Sequence, residues 1–443
     1  MSGVAPFLPD LLYRLLFEHS MSPHATFVPF NCDAVAMMVD ISGYSQLVDA
    51  MSHEGAHSVA DVVNSYFTLI INTVKQFGGD VVSFAGDAMI VLWIGDPLER
   101  QCEQAACCAM KLMESPATSS MKLARTDSQQ PLVLRLHIGL TCNAVRCEVL
   151  RPRRLCFSSV GVMPEAFLLV GGPVMSSLAK NIGEAKVGEI CVDQSFTNRC
   201  ADMTTIERNG VFLVERLASN SSSSFKSPTT ICHQDTIDEI FVPPPILSRL
   251  NLGMKPTEMA EMRHLHVMFI KKPSSAMPTR EWFQSLFPIL WRFQISVTQV
   301  IDDDKGLHVV AAMNLFFSEE GEADRTLLAI RAIHESEVSC ILGVAAGRCF
   351  CGIIGSDDVC GTRLRSSMPF DAVRRARKAD HRNRRKRCRG TFRPNKGHHD
   401  SRRRSTEGIV GSGQSLLNRD ARRHVNFTGL CGKPLGRSPG GSL

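Results

Sequence analysis

The chain has 443 residues, 44% hydrophobic and 21% charged, a balance ordinary for folded soluble domains. No apolar run approaches the roughly 20 residues of a membrane-spanning helix. The N-terminal apolar patch is broken by Asp10, Arg14 and Glu18 and lacks the basic start and cleavage site of a signal peptide. The net charge of +6 hides two unlike pieces: from Gly361 onward there are 22 Lys and Arg against 5 Asp and Glu, whereas the preceding residues hold 28 against 39.

The first 31 residues read as a lead segment, with Leu11, Leu12, Leu15 and Leu16 at the spacing of a short packing helix. Residues 32–197 read as a first domain. AVAMMVD (34–40) is a buried strand ending in Asp, and ISGYS follows as a turn. Val59 to Phe77 has helical spacing and stops at Gly78-Gly79. VVSF and AMIVLW are short strands split by Gly86-Asp87. Glu99 to Met113 is a helix, Leu132 to Leu140 alternates as a strand, and Ala144 to Leu150 is a second strand to pair with it. A helix over Pro173–Ile182 and a strand over Glu189–Val192 complete the set. This order is not the alternation of a doubly wound fold; it predicts an α+β sheet with helices on one face.

Residues 198–261 read as irregular, with a flexible linker in SNSSSSFKSP (219–228) and a stiff one in VPPPI (242–246). The pattern restarts over 262–356. HLHVMFI (264–270) is a strand, Glu281 to Phe293 a helix, and ISVTQVI and LHVVAA flank the turn DDDKG. Ala323 to Ile333 is a helix and CILGVAAG (340–347) a strand. RLHIGLTCNA (135–144) and CILGVAAGRC (340–349) share a shape, which predicts a diverged internal duplication. From 357 to 443 the chain is Arg-rich and lacks apolar periodicity, so a disordered basic tail is expected. Its RNRRKRCR cluster suits weak phosphate-mediated binding of nucleic acid, a nuclear address or a membrane surface. The abrupt change near 356–360 has the form of a reading-frame change or an unremoved intron. The 16 cysteines include no C-x-x-C pair and read as reduced thiols of a cytoplasmic protein.

Two carboxylates stand out. Asp40 leaves the first strand and Asp87 sits at the tip of the next hairpin. Strands of one sheet lie about 5 Å apart, so both can reach one sheet edge. Buried-edge carboxylates repel unless a cation lies between them, and magnesium is typically held by one or two carboxylates plus phosphate oxygens. The ISGYS turn has backbone N–H groups to offer a triphosphate. The plainer reading has Asp40 capping the next helix and Asp87 filling a turn, and spacing alone does not choose between them. His137, His264, His266 and His308 fall in strand patterns and read as structural or surface residues. The GGPV turn (171–174) reads as a plain loop before a helix, with a phosphate loop as the rarer alternative.

VDISGYSQL, followed by GGDVVSFAGDAMIVLW, resembles the class III nucleotidyl cyclases, in particular the branch with tandem catalytic units that responds to bicarbonate. LPDLL (8–12) and FCGIIG (350–355) fit the same branch. The resemblance covers roughly residues 8–356 and is strongest over 35–95. It implies two ferredoxin-like units, the second incomplete, forming a pseudo-dimer with the active site between them. It also implies ATP as substrate with GTP as the competing purine, cyclic AMP and pyrophosphate as products, and two divalent cations, Mg2+ or Mn2+.

Carried over, Asp40 and Asp87 are the metal carboxylates and Ile41 lends a carbonyl. Ser42, Gly43, Tyr44 and Gly86 face the nucleotide phosphates, and Gln299 stands where the family reads adenine with a Lys. The second unit shows Ile270 and Lys305 in place of the two Asp residues. The family's Thr- or Asp-bearing strand that reads the base and its N-x-x-x-R helix, both due after FCGIIG, are missing, and VCGTRLRSSMPFDAVRRARKAD stands there instead. Pairing with a second cyclase unit, within the chain or in trans, is therefore expected to decide activity; the alternative is a non-catalytic nucleotide-binding partner. Ser83 and Ser177 occupy the positions of the bicarbonate-holding Lys and Arg, so bicarbonate insensitivity is expected.

Overall fold

A computed structural model of the chain describes residues 9–11, 29–51, 55–85, 87–123, 132–152, 164, 166–218, 239–318, 320–356 and 360–366. Strand β1 (Phe30–Ser42) runs into helices α1 (Tyr44–Met51) and α2 (Ala56–Gln76), followed by the hairpin of β2 (Asp80–Ala85) and β3 (Ala88–Trp93). Helix α3 (Leu98–Glu114) leads to β4 (Ser120–Leu123), β5 (Leu132–Leu150) and β6 (Phe167–Gly171). Helix α4 (Pro173–Glu184), β7 (Ile190–Val192), β8 (Met203–Arg208) and β9 (Val211–Leu217) close the first sheet. Its order is β2-β3-β1-β5-β7-β9-β8, with β4 and β6 also paired to β5.

Alternation along the strands explains how this sheet is covered. Val35, Met37, Val39 and Ile41 of β1 join Met89, Val91 and Trp93 of β3 beneath α1, α2 and α3. Ala34 and Ala36 join Ile90 and Leu92 on the opposite face, beneath Val174, Met175 and Leu178 of α4. Helices thus cover both faces, not the one face predicted. The reason is visible in β3, whose six residues are all buried; an apolar run without polar alternation needs cover on each side. Helix α2 stops where expected: the Gly78 N–H donates to the Lys75 carbonyl and the Gly79 N–H to the Val74 carbonyl.

Three further expectations are corrected. Residues 132–150 are one strand, not two, because β1 pairs along it continuously from Phe30–Cys147 to Ser42–Arg135. The segment after 198 is not irregular: β8 and β9 form a hairpin around Asn209 and Gly210, both at positive φ. VPPPI is not a spacer, since Pro244 opens helix α5 (Pro244–Asn251), where its missing N–H costs nothing. Residues 219–238, with the predicted flexible linker, and most of the lead segment lie outside the described residues.

The second sheet contains β10 (Glu261–Lys271), β11 (Ser296–Asp303), β12 (Gly306–Met313), β13 (Ile341–Gly355) and β14 (Cys360–Ser366), with helices α6 (Thr279–Arg292) and α7 (Glu322–Glu335) between strands. Its order, β11-β12-β10-β13-β14, repeats the β2-β3-β1-β5 path of the first sheet. The two matching stretches seen in sequence therefore hold the same place, in β5 and β13. Strand β14 corrects the expectation that the chain beyond 356 is wholly unpatterned: Cys360–Ser366 pairs antiparallel with Cys349–Gly355. The rest of the basic segment lies outside the described residues.

Both sheets belong to one unit, Met1–Cys340 with Val344–Met368; Ile341–Gly343 fall in a second unit with Pro369–Leu443. Within the first unit, Phe350 and Ile354 of β13 pack in the core beneath α2. The Asn64 amide donates to the Ile353 carbonyl (3.3 Å) and accepts from the Gly355 N–H (3.0 Å). Arg280 of α6 pairs with the buried carboxylate of Glu148 on β5 at 3.1 Å. Among the described residues no helix is long and apolar enough to cross a membrane.

Candidate functional site

Strand register builds the site. Asp40 pairs with Ala88 of β3 on one side and with His137 of β5 on the other. Asp87 immediately precedes Ala88, half-buried in the turn after β2. Two carboxylate residues from neighbouring strands therefore stand at the same end of the sheet. Asp40 lies on the face away from Val39 and Ile41, and its side chain is 30% exposed.

His137 takes a part that the sequence did not reveal. Its Nε2 lies 3.0 Å from Asp40 Oδ2, and its Nδ1 lies 3.4 Å from Ser42 Oγ. The imidazole therefore ties the carboxylate to the hydroxyl at the strand's end. The signal was the polar His within LVLRLHIGL, but its value depends on facing Asp40 across the β1–β5 register.

Ile41 is buried in the core and pairs with Leu136, so only its backbone is available to a ligand. Gly43 turns the chain from β1 into α1 at φ +92°, and a Cβ there would stand 2.7 Å from the Val133 carbonyl oxygen. No other residue fits that close approach without a shift. Tyr44 opens α1 with its ring buried, edge-on to Phe67 at 6.3 Å, and Phe67 meets Phe84 at 5.7 Å. Its side chain is part of the core, leaving the backbone at the turn. Gly86 lies outside the described residues.

Gln299 reaches the same hairpin from the second sheet. Its Nε2 donates to the Phe84 carbonyl at 3.0 Å, two residues before Gly86. Ser83 is half-buried on β2, and Ser177 on α4 accepts from Asn143 Nδ2 at 3.2 Å. Ile270 does not occupy Asp40's place. It shares the face of His266, which meets Thr326 of α7, so on the opposite face β10 presents Phe269 and Lys271. Lys305 lies at the hairpin tip, with Nζ 3.5 Å from Asp304.

Asp40, Asp87 and the Ile41 carbonyl are hard oxygen donors, the set that magnesium or manganese takes. The donor chemistry fits divalent cations at this sheet end. Burial pushes the thiols of Cys147 and Cys351 up to about 12, and those of Cys200 and Cys340 up to about 11, so these four are protonated and poorly nucleophilic at neutral pH.

No family model matches the chain. Over 95 residues it is 36% identical to the human (Homo sapiens) adenylate cyclase type 10 and 37% identical to the rabbit (Oryctolagus cuniculus) protein. Each match takes in 20% of this chain and 6% of the relative's length. Within that stretch the likeness to adenylate cyclase type 10 is a likeness of sequence. Among solved structures, a class III adenylyl cyclase-like ATP-binding protein from Pseudomonas aeruginosa aligns over 78% of this chain and 82% of its own, at 10% identity and TM-score 0.43. A guanylate cyclase domain from Catenaria anguillulae, in complex with GTP, aligns over 43% of this chain and 99% of its own, at 15% identity and TM-score 0.33.

Proposed function

We propose that the chain is an adenylyl cyclase-like protein whose two sheets act as paired cyclase units, converting ATP to cyclic AMP and pyrophosphate. The observation behind this reading is the Asp40–Ala88 register, which brings Asp40 beside Asp87 in the stretch that holds both family motifs. The bonds from Gln299 to Phe84 and from Asn64 to β13 support pairing of the units.

In this reading Asp40, Asp87 and the Ile41 carbonyl hold two Mg2+ or Mn2+ ions. When bound, such ions lower the cost of ionising the ribose 3′-hydroxyl and offset charge on the phosphate oxygens. The chain's own residues supply position. His137 holds Asp40 in orientation, and the turn of Ser42, Gly43 and Tyr44 offers backbone N–H groups to phosphate. Gln299 faces the purine from the second sheet, with ATP as partner and GTP as competitor. Ser83 and Ser177 leave bicarbonate without a cation, so activity is independent of it. The setting proposed is cytoplasmic.

A second reading is a nucleotide-binding relative that does not turn over alone. One observation favours it: β14 takes the place that β6 holds beside β5, and the sequence after it, SMPFDAVRRARKAD, lacks the Asn-x-x-x-Arg pattern of the family's helix. The purified chain, assayed with ATP and with GTP in manganese, separates the two. Cyclic nucleotide production that Asp87→Ala abolishes supports the enzyme. Manganese-dependent nucleotide binding without product supports the second reading, and binding of neither nucleotide overturns both.

A further inference from the structure

Three ligand-type side chains meet on the second sheet. His264 and His266 stand two apart on β10 and so share one face of the strand. Glu322 opens α7 opposite them. One ring nitrogen from each histidine and one carboxylate oxygen of Glu322 all lie within 4.8 Å of one another. Among the described residues this is the one such gathering of three His, Cys, Asp or Glu side chains. His264 Nδ1 is already 3.3 Å from Glu322 Oε1. Zinc ligands bonded at about 2.0–2.1 Å in a tetrahedron lie about 3.3–3.5 Å apart.

The surrounding bonds orient these groups. Thr326 Oγ1 donates its one proton to the Glu322 carbonyl at 2.7 Å. The same oxygen lies 2.9 Å from His266 Nδ1. With Nδ1–H donating to it, Nε2 keeps its lone pair for a ligand. A histidine that ligates through one nitrogen while donating from the other is the usual arrangement at metal centres. Asn314 Nδ2 donates to Glu322 Oε2 at 2.5 Å, holding the carboxylate with Oε1 toward His264. The exposed side chain of His264, 59% accessible, gives an ion a way in.

We propose that His264, His266 and Glu322 form a binding site for a transition-series divalent cation of the zinc type, which ties the first turn of α7 to β10. Two imidazoles and one carboxylate select such an ion over magnesium, which prefers oxygen donors throughout. Three protein ligands leave a fourth position for water. The site is independent of the cyclase reading, since neither Asp40 nor Asp87 takes part.

The test uses the full chain, freed of metal and titrated with Co2+, which reports its ligands by colour. The expected result is one cobalt equivalent with the visible d–d absorption of a tetrahedral nitrogen–oxygen site and without a thiolate charge-transfer band. Zn2+ displaces it and millimolar Mg2+ does not. His264→Ala, at an exposed position, and Glu322→Gln abolish the signal, while Asp87→Asn retains it. Thr326→Val weakens affinity roughly 10–100-fold through loss of the orienting bond. Far-UV circular dichroism checks that each variant is folded. Absence of the d–d signal, its survival in folded His264→Ala, or a spectrum dominated by thiolate bands would each overturn the proposal.

Discussion

The strand that begins each sheet follows the same path and ends in different chemistry. In the first sheet β1 reaches Asp40, level with Ala88, and the turn with Asp87 comes one residue later. In the second, Lys271 pairs with His308, and β12 continues through Leu307 to Gly306 before its turn. That hairpin is longer, and its tip holds Asp304 and Lys305. One strand end therefore brings Asp40 level with the turn that holds Asp87, whereas the matching end of β10 offers Phe269 and Lys271, and the aspartates 302–304 lie in the longer hairpin beyond it. The second sheet keeps its histidines 264 and 266 on the face toward α7. A shared backbone path fixes where side chains emerge, but not what they bind.

The sharpest way to break this contrast is to remove each side's counterpart. Under the enzyme reading, Asp87→Ala lowers manganese-dependent product formation by roughly 100-fold or more, the scale of losing a group that positions charge. Lys271→Ala leaves it unchanged. Equal effects would show that the two strand ends are not specialised, and a cyclic nucleotide assay of both variants decides.

The turns give the next largest difference. Gly43 and Gly306 both have positive φ, but a Cβ at Gly43 meets the Val133 carbonyl at 2.7 Å, and one at Gly306 meets nothing within 4 Å. Gly306→Ala should cost about 1–2 kcal/mol for the left-handed backbone alone. Gly43→Ala should cost clearly more, because a backbone carbonyl must also move. Urea unfolding of the two variants measures the gap, and equal midpoints would refute it.

Contact between the sheets comes third. Gln299→Leu removes the bond to the Phe84 carbonyl and should cost about 1 kcal/mol, read as a lower urea midpoint with unchanged slope. No loss would mean that this bond adds nothing to the packing of β11 against the hairpin.

The smallest effect is expected at the acid end of the pH range, and in the first sheet. The Arg208 guanidinium, bonded to Glu189, holds that carboxyl down from its ordinary 4.5 to about 2. A depressed folded-state pKa adds stability above the unfolded value and loses it as pH falls from about 4.5 toward 2. Arg208→Gln should flatten that part of the acid-unfolding curve and leave neutral-pH activity alone. The pair is half-buried, with side chains 26% and 22% exposed, so partial solvent screening keeps the effect modest. Thermal unfolding scans across this range test the slope.

Much of the fold was legible because the signals were local. Helix α2 followed from its apolar spacing and its Gly78-Gly79 stop, and the β2–β3 hairpin from two apolar runs around a turn. The β8–β9 hairpin carries a local signal too, since Asn-Gly between two strands is a strong turn signal, but Glu207, Arg208 and Arg216 interrupt the apolar alternation of its flanks. The 19-residue β5 was hidden by its small and polar middle, Thr141 to Ala144, which only pairing with β1 keeps extended. Asp40 and Asp87 were nameable as candidates, while His137 was not. Its role exists only through a partner 97 positions away in the chain.

By itself the sequence determined the main helices, the β2–β3 hairpin, the tandem repeat of the pattern, and which carboxylates are available, because these depend on residue type and short-range spacing. Tertiary structure alone decided that Asp40 stands level with Ala88, that His137 grips Asp40, that Gln299 reaches the Phe84 carbonyl, and that His264 and His266 meet Glu322. Each of these depends on strand register or sheet packing. Such contacts join residues distant in the chain, and a one-residue slip would turn every side chain of a strand to the other face.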